Sequence, residues 1–258
     1  MTTLYNSPVF GPVHSRRLGV SLGINLMPHD GKICSFDCIY CECGFNHDFR
    51  PKSNMPTRSE VSSRLREVLA NMHENGPKPD VITFAGNGEP TLHPDFPDIL
   101  DDVVALRNEF FPECKISVLS NATRITDDRV FETLKKVDNN ILKLDTVSED
   151  YIRLVDRPNY KDFSVDKIIG RLEEYGNQCI IQTMFMKGTH EGNDVSDISD
   201  RYVQPWIEAL KRIKPSKVMI YTIDRETPSP LLEKASHQEL DAIAKKVREA
   251  GIECQVSY

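Results

Sequence analysis

Four of the chain's seven cysteines fall between positions 34 and 43, in the stretch CSFDCIYCECG. Cys34, Cys38 and Cys41 form C-x-x-x-C-x-x-C, and Cys43 follows directly after Glu42. A loop this short folds round one corner of a cubane and offers three thiolates to three irons. The fourth iron then lacks a protein ligand unless Cys43 bends back, and an open metal position is where substrates bind, as on catalytic zinc. The rival is a structural zinc site using Cys34, Cys38, Cys41 and either Cys43 or His47. Simple loop packing does not explain thiols at this density. Spacing alone leaves cluster and zinc both open.

A second motif, FAGNGEPTLHP at 84–94, follows directly from the apolar run VITFA. Gly86 and Gly88 let backbone approach a ligand closely, Glu89 accepts hydrogen bonds from an ammonium group, and Pro90 stiffens the turn. In isolation this is also an ordinary strand-to-helix turn. One unit after a thiol loop, it argues for a ligand. Polar residues also close other apolar runs: Ser120 with Asn121, Lys143 with Asp145, Gln182 with Thr183, and Tyr221 with Thr222 and Asp224. Residues two apart on a strand share a face, so Lys143 and Asp145 point together. The plain reading of that pair is a satisfied ion pair inside a barrel.

These residues need elements to position them. Apolar runs recur at 81–85, 116–120, 141–145, 180–186, 218–223 and 252–256, with starts about 25 to 39 residues apart. That is the length of a strand-plus-helix unit. SLGIN at 21–25 supplies a first strand ahead of the thiol loop. Thr57 with Glu60, and Ser236 with Glu239, read as capping boxes, and Gly251 sits where a C′ glycine belongs. Trp206, Ile207, Leu210 and Ile213 form the core stripe of a covering helix. Such alternation implies a parallel sheet under helices, open or wholly or partly closed, with chemistry at the carboxyl ends of the strands. The thiol loop lies on that rim. YTIDRETPSP at 221–230 is either a substrate cover or a charged surface loop. His14 faces the site or solvent, His93 starts a helix, and Cys114, Cys179 and Cys254 pack in the core.

The chain has 258 residues, 39% of them hydrophobic, enough to bury a full core. Its 32 basic and 39 acidic residues give a net charge of −7, without the usual electrostatic footprint of a nucleic-acid binder. Arg16, Arg17, Lys32, Arg50 and Lys52 nevertheless collect around the thiol loop. The opening residues lack the layout of a signal peptide, and no apolar run approaches the roughly 18 residues of a membrane span. The expectation is a cytoplasmic, reducing compartment, where clustered thiols bind metal more often than they form disulfides.

The two motifs together resemble the radical S-adenosylmethionine (radical SAM) superfamily. That family carries C-x-x-x-C-x-aromatic-C after its first strand, with Tyr40 at the aromatic position here, and a G-G-E-P-like motif after its second. Asn87 stands in place of one glycine. The resemblance implies a single-domain α/β fold over 1–258, a parallel-strand partial (β/α)6 TIM-type barrel. Residues 1–19 then read as an N-terminal extension and 252–257 as an extra strand. It also implies a 4Fe–4S cluster on Cys34, Cys38 and Cys41, whose open iron chelates the amino and carboxylate groups of S-adenosylmethionine. Reductive cleavage of that cofactor would give a 5′-deoxyadenosyl radical that abstracts hydrogen from substrate. Cofactor contacts are expected from Tyr40, Gly86, Asn87, Gly88, Glu89, Pro90, Ser120, Asn121, Lys143, Asp145, Gln182, Tyr221 and Asp224.

The wording of both motifs is nearest to the wyosine-type tRNA-modifying branch, although the additional upstream cysteine trio is missing. Glycyl-radical-enzyme activases are the next comparison. The implied partners are a reductase such as flavodoxin or ferredoxin and a small or nucleotide-like anionic substrate, ahead of intact RNA or protein. The non-enzymatic alternative is a zinc- or cluster-stabilised binding module, which leaves GNGEP and the polar strand ends without a role.

Overall fold

The computed structural model describes residues 3–15 and 19–258. Two of the basic residues singled out above, Arg16 and Arg17, lie outside the described residues. The chain opens with an antiparallel pair, β1 (Val9–Ser15) and β2 (Gly19–Ile24), in which Val9 faces Ile24. The thiol loop follows, then α1 (Arg58–Asn75), β3 (Val81–Phe84), α2 (Phe96–Phe110), β4 (Lys115–Ser120), α3 (Asp128–Leu134) and β5 (Asn139–Lys143). Next come α4 (Glu149–Val155), α5 (Val165–Tyr175), β6 (Ile180–Met184), and a short antiparallel pair, β7 (Met186–His190) and β8 (Asn193–Asp194). The remainder is α6 (Asp200–Ile213), β9 (Lys217–Tyr221), β10 (Leu232–Lys234), α7 (His237–Glu249) and β11 (Cys254–Ser257).

Eight strands form one sheet in the order β1-β2-β3-β4-β5-β6-β9-β11. From β2 onward every pairing in this sheet is parallel, so its strand-to-helix turns emerge on one rim. The sheet does not close: β1 and β11 are its edges. This is the expected partial barrel, with 254–257 supplying the extra strand.

Alternation along the strands separates two faces. Leu22, Ile24, Ile82, Phe84, Ile116, Val118, Leu142, Ile181, Val218 and Ile220 are fully buried against the helices. The inner face holds a small apolar plug of Ile141, Ile180 and Met219. Two residues further along those same strands stand Lys143, Gln182 and Tyr221. Both expected capping boxes are present, on Thr57 with Glu60 and Ser236 with Glu239.

Two features differ from the sequence reading. Residues 9–15, assigned to an extension, are an edge strand. Gly11 and Pro12 interrupt the alternation there, and the register shifts between Phe10 and Val13, as edge strands tolerate. The run IIQTMFM is not one strand: the main sheet ends at Met184, and Phe185 turns inward to pack edge-on against Trp206, ring centroids 5.3 Å apart. Beyond it, β7 joins β8 and β10 in a three-stranded antiparallel sheet beside the rim.

Trp206 also donates its indole N–H to the Leu144 carbonyl at 2.9 Å, while the Thr183 hydroxyl donates to the same oxygen at 2.7 Å. Leu144 lies between Lys143 and Asp145, so α6 clamps the strand end that presents them. Trp206→Phe should lower unfolding free energy by about 1–3 kcal/mol through lost volume and one lost hydrogen bond. Urea denaturation followed by far-UV circular dichroism measures this; an unchanged midpoint would rule out the clamp.

Candidate active site

The rim is assembled by one backbone crossing. The Ile33 amide donates to the Asn87 carbonyl at 3.0 Å, and the Glu89 amide donates to the Ile33 carbonyl at 3.0 Å. This seats the thiol loop on the GNGEP turn. Gly88 has φ +136°, and a Cβ there would overlap the Ile33 carbonyl; Gly86 has φ +140°, and its Cβ would lie 2.7 Å from Asn25 Cγ. The close approach that Gly88 permits is therefore, first, that of the chain's own thiol loop, and the one that Gly86 permits is that of Asn25 beyond β2. The Asn87 side chain turns away from the rim: Tyr5 N donates to its Oδ1 at 2.8 Å, and its Nδ2 donates to the carbonyls of Tyr5 and Pro28 at 3.0 and 2.9 Å.

Glu89 is 2% exposed. Its Oε1 accepts from Thr91 N at 3.1 Å, Thr91 Oγ1 at 2.6 Å and Ser120 Oγ at 2.8 Å, and its Oε2 accepts from Asn121 N at 2.6 Å. Burial pushes its carboxyl above the usual range, and these four bonds pull the other way. The carboxylate thus ties the turn after β3 to the end of β4. Pro90 begins a single 3-10 turn, and His93 follows as its cap. His93 Nδ1 accepts from Asp95 N at 3.1 Å, the helix-start role expected of it.

Cys34, Cys38 and Cys41 are half-buried at the rim, whereas Cys43 is 4% exposed, with its sulfur 3.6 Å from the Gly86 carbonyl. The three outer thiols have different neighbours. Asn121 Nδ2 donates to Cys34 Sγ at 3.5 Å, and Cys38 Sγ donates to Asp156 Oδ1 at 3.4 Å. A hydrogen bond from Cys43 holds the Cys41 thiol down to about 6, and Lys32 adds to the effect. Burial pushes Cys34 up to about 12 and Cys38 well above its ordinary value.

Behind the loop stands Lys32, 3% exposed, its Nζ donating to the Gly44 carbonyl at 2.7 Å and lying 3.7 Å from Asp37. Burial works against the Lys32 charge, but the thiols of Cys41, Cys34 and Cys38 together with Asp37 hold its pKa above the ordinary value. Lys32 is therefore not a rim cation for substrate, as the sequence placed it; its charge is spent on the thiols. Three soft sulfur donors, thiolates once a metal displaces their protons, with a buried ammonium behind them suit thiolate-bound iron. Among the described residues no three His, Cys, Asp or Glu side chains gather round a point fit for one ion. His47, the alternative fourth zinc ligand, is 62% exposed and pairs with Asp48 at 2.9 Å.

Across the rim, Lys143 contacts the Tyr40 hydroxyl and Asp145, lies 2.9 Å from Asp156 Oδ1, and sits 4.6 Å from the Tyr40 ring centre. Tyr40 donates to Asp145 and, at 3.3 Å, to Asp156. Asp145 Oδ1 also accepts from Met184 N at 3.0 Å. The Lys143–Asp145 pair is thus real and buried, and Tyr40 joins it to the thiol loop. Burial acts against the Lys143 charge, yet Asp145 and Asp156 keep its pKa well raised. Burial pushes Asp156 up to about 6 against the pull of Lys143.

Asp156 was not singled out in the sequence. It lies beyond α4, away from any strand end, and only its place between an arginine and a helix hinted at a role. Its backbone matters too: Asp37 N donates to the Asp156 carbonyl and Ile39 N to the Val155 carbonyl, both at 2.9 Å. Segment 155–159 braces the thiol loop. Gln182 pairs in register with Lys143, and Tyr221 with Met184, which brings both to this rim. Asp224 does not join them; it is exposed, 3.9 Å from Lys234.

The family model of the radical SAM superfamily matches residues 30–200, well over half of the chain, which belongs to that superfamily. It is an enzyme of a family that uses a 4Fe–4S cluster and S-adenosylmethionine. A Brachyspira hyodysenteriae protein named GTPase Obg is 30% identical over 96% of this chain and 34% of its own length. A UPF0026 protein of Helicobacter pylori is 31% identical over 84% of this chain and 66% of its own. The chain thus spans from about a third to just under two thirds of these relatives. Among solved structures, a radical SAM methyltransferase from Sphaerobacter thermophilus superposes with a TM-score of 0.68 at 15% identity, covering 92% of this chain and 66% of that one. TYW1 with a lysine–pyruvate adduct bound gives 0.58 at 15% identity, covering 89% and 73%. At these identities the likeness is one of fold. No helix among the described residues is long and apolar enough to cross a membrane.

Replacing Cys34, Cys38 or Cys41 by Ala should abolish iron and sulfide uptake on anaerobic reconstitution, while Cys43→Ala should retain both. Gly88→Ala adds backbone strain of about 1–3 kcal/mol and an overlap with Ile33, and should behave like the ligand variants in a folded protein. Retention of a full cluster in Cys34→Ala, or in Gly88→Ala, would show the assembly to be wrong.

Proposed function

We propose that the protein cleaves S-adenosylmethionine reductively and directs the radical at a small substrate admitted at the open rim. The observation that carries this reading is three half-buried thiols on one braced loop, backed by Lys32 and facing an acid-rich pocket. Cys34, Cys38 and Cys41 would hold the 4Fe–4S cluster. The chemistry it supplies when bound is one-electron reduction of the cofactor's sulfonium, yielding methionine and a 5′-deoxyadenosyl radical that takes hydrogen from substrate.

The chain's own residues bind and orient. Glu89, Asp145 and Asp156 make the pocket negative, which suits the cofactor's ammonium and sulfonium charges. Ser120, Asn121, Gln182 and Tyr221 line the adjoining strand ends, where ribose hydroxyls need donors and acceptors. Lys143 is already held by two carboxylates and Tyr40, so it would have to exchange one of them to hold the cofactor carboxylate. The backbone of Gly86, Asn87, Gly88 and Pro90 borders the thiols and completes the cradle.

A small substrate is supported by what surrounds the opening. The three-stranded sheet of β7, β8 and β10 stands beside it. The loop after β9 is fastened to the thiol loop: Ser229 N donates to the Ile39 carbonyl at 3.2 Å, and Arg225 pairs with Glu42 at 2.7 Å. With Lys32 buried and Arg50 on the outer face of the thiol loop, Lys52 is the described cation left from the expected basic group, too little for a long phosphate footprint. The tRNA reading, favoured by the fold shared with TYW1, ranks second.

The reconstituted, reduced protein should release 5′-deoxyadenosine and methionine slowly from S-adenosylmethionine without substrate. Glu89→Gln, which puts an amide N–H against donors, should weaken cofactor binding by about 1–3 kcal/mol. Stoichiometric zinc with no deoxyadenosine would defeat the radical reading. Sub-micromolar binding of bulk tRNA with a steep salt slope, reduced in Lys52→Ala, would place RNA ahead of a small substrate.

A further inference from the structure

On the outer side of the thiol loop lies an open depression of about 430 Å³, bordered by Asp37, Asn46, His47, Arg50, Arg157 and Asn159. Two of its lining residues hold the backbone of the loop. Asn159 Nδ2 donates to the Cys34 carbonyl at 2.9 Å, and Asn46 Nδ2 donates to the same oxygen at 3.3 Å. The Cys34 sulfur is met from the other side, by Asn121 at the end of β4. One cluster residue is thus held between two surfaces, the substrate rim and this depression.

The depression also carries weakly neutralised positive charge. No described carboxylate pairs with Arg50. Arg157 reaches Asp37 only at 4.0 Å and otherwise lies over the Phe45 ring, 5.0 Å from its centre. Arg157 has φ +52°, a left-handed conformation that L-residues other than Asn, Asp and Gly seldom adopt. That turn sends Asp156 inward to Cys38 and Lys143 and its neighbour Arg157 outward. Two underpaired guanidiniums thus stand together behind the thiol loop of a chain whose net charge is −7. Asn46 Oδ1 is buried there without a described hydrogen-bond partner.

We propose that this depression docks an acidic one-electron carrier protein of the flavodoxin or ferredoxin class, with Arg50 and Arg157 as its charge contacts. The proposal rests on the radical reading of the thiol loop. One electron leaves the reduced flavin or iron–sulfur centre of the carrier and enters the cluster from the side opposite the substrate, so donor and substrate do not compete for the rim. Electron-transfer complexes are small and transient, and rim charges set their association rate and salt dependence more than their lifetime. Two arginines around a shallow depression fit an interface of that kind.

Purified flavodoxin serves as the probe, with the full chain carrying its reconstituted cluster. Arg50→Glu and Arg157→Asn, the latter tolerated in the left-handed region, should each weaken flavodoxin binding about three- to tenfold at low ionic strength. The difference should shrink at high salt. Flavodoxin-driven deoxyadenosine formation should fall in step, while in Arg50→Glu, outside the bracing segment, cluster content and the dithionite-driven rate stay at the parent level. Charge reversal at Lys136, beyond α3 at the opposite end of the strands, should change none of these. Unchanged flavodoxin binding in both arginine variants would overturn the proposal, as would an equal loss of the dithionite-driven rate in Arg50→Glu. Absence of deoxyadenosine from the parent under dithionite would instead defeat the radical reading, with the binding titration still deciding the docking face.

Discussion

Two hydrogen bonds, from Ile33 to Asn87 and from Glu89 back to Ile33, hold the thiol loop against the turn after β3. Every other feature of the rim is referred to that crossing. It requires a residue without a side chain at position 88, where the Ile33 carbonyl occupies the space a Cβ would take. It fixes where Glu89 begins, and Glu89 in turn fastens Ser120 and the Asn121 amide at the end of β4. Asn121 then touches the Cys34 sulfur, closing a circuit from loop to turn to strand and back to loop. A loop with several thiols but no such circuit would sample many arrangements; here the backbone leaves little freedom.

Burying charge is expensive unless partners are supplied, and the site buries two ammonium groups. Lys32 has a carbonyl, Asp37 and three thiols; Lys143 has two carboxylates and a phenol. The first neutralises the thiol loop from behind and the second balances the acids that face it. Both lysines therefore act on the loop's electrostatics from opposite sides, and removal of either would leave like charges facing one another in a poorly solvated space. The same bookkeeping explains why Asp156 must be present: without it, Lys143 has one carboxylate, and Cys38 loses its hydrogen-bond acceptor.

Distant segments close over this centre. The N-terminal residues are pinned by Asn25 and Asn87, and the Tyr5 hydroxyl accepts from Arg225 at 2.9 Å and donates to Glu42 at 3.3 Å. Glu42 lies between Cys41 and Cys43, so the N-terminal segment, the thiol loop and the loop after β9 meet at a single carboxylate. These contacts narrow the rim on one side and leave the outer face of the loop, with Arg50 and Arg157, open to solvent.

Much was determined by local chemistry that a linear reading can see. Thiol spacing, the GNGEP turn, strand runs of the right period and two capping boxes depend on neighbours within a few residues, so the gathering of Cys34, Cys38, Cys41, Glu89 and Ser120 on one rim and the parallel order were legible. The Lys143–Asp145 pair was legible too, because a period of two places both on one face. What only the tertiary structure decided were relations between residues far apart in the chain. Asp156 lies 118 positions from the thiol it contacts. Lys32 looked like a rim cation, yet the fold of its own loop turns it inward. The strand at 9–15 is broken by Gly11 and Pro12 in sequence and becomes a strand only by pairing with β2. Asp224 closes an apolar run as the other site residues do, but the chain has turned outward before reaching it. In each case the deciding term is a partner brought by folding, and no periodicity or spacing encodes which partner that will be.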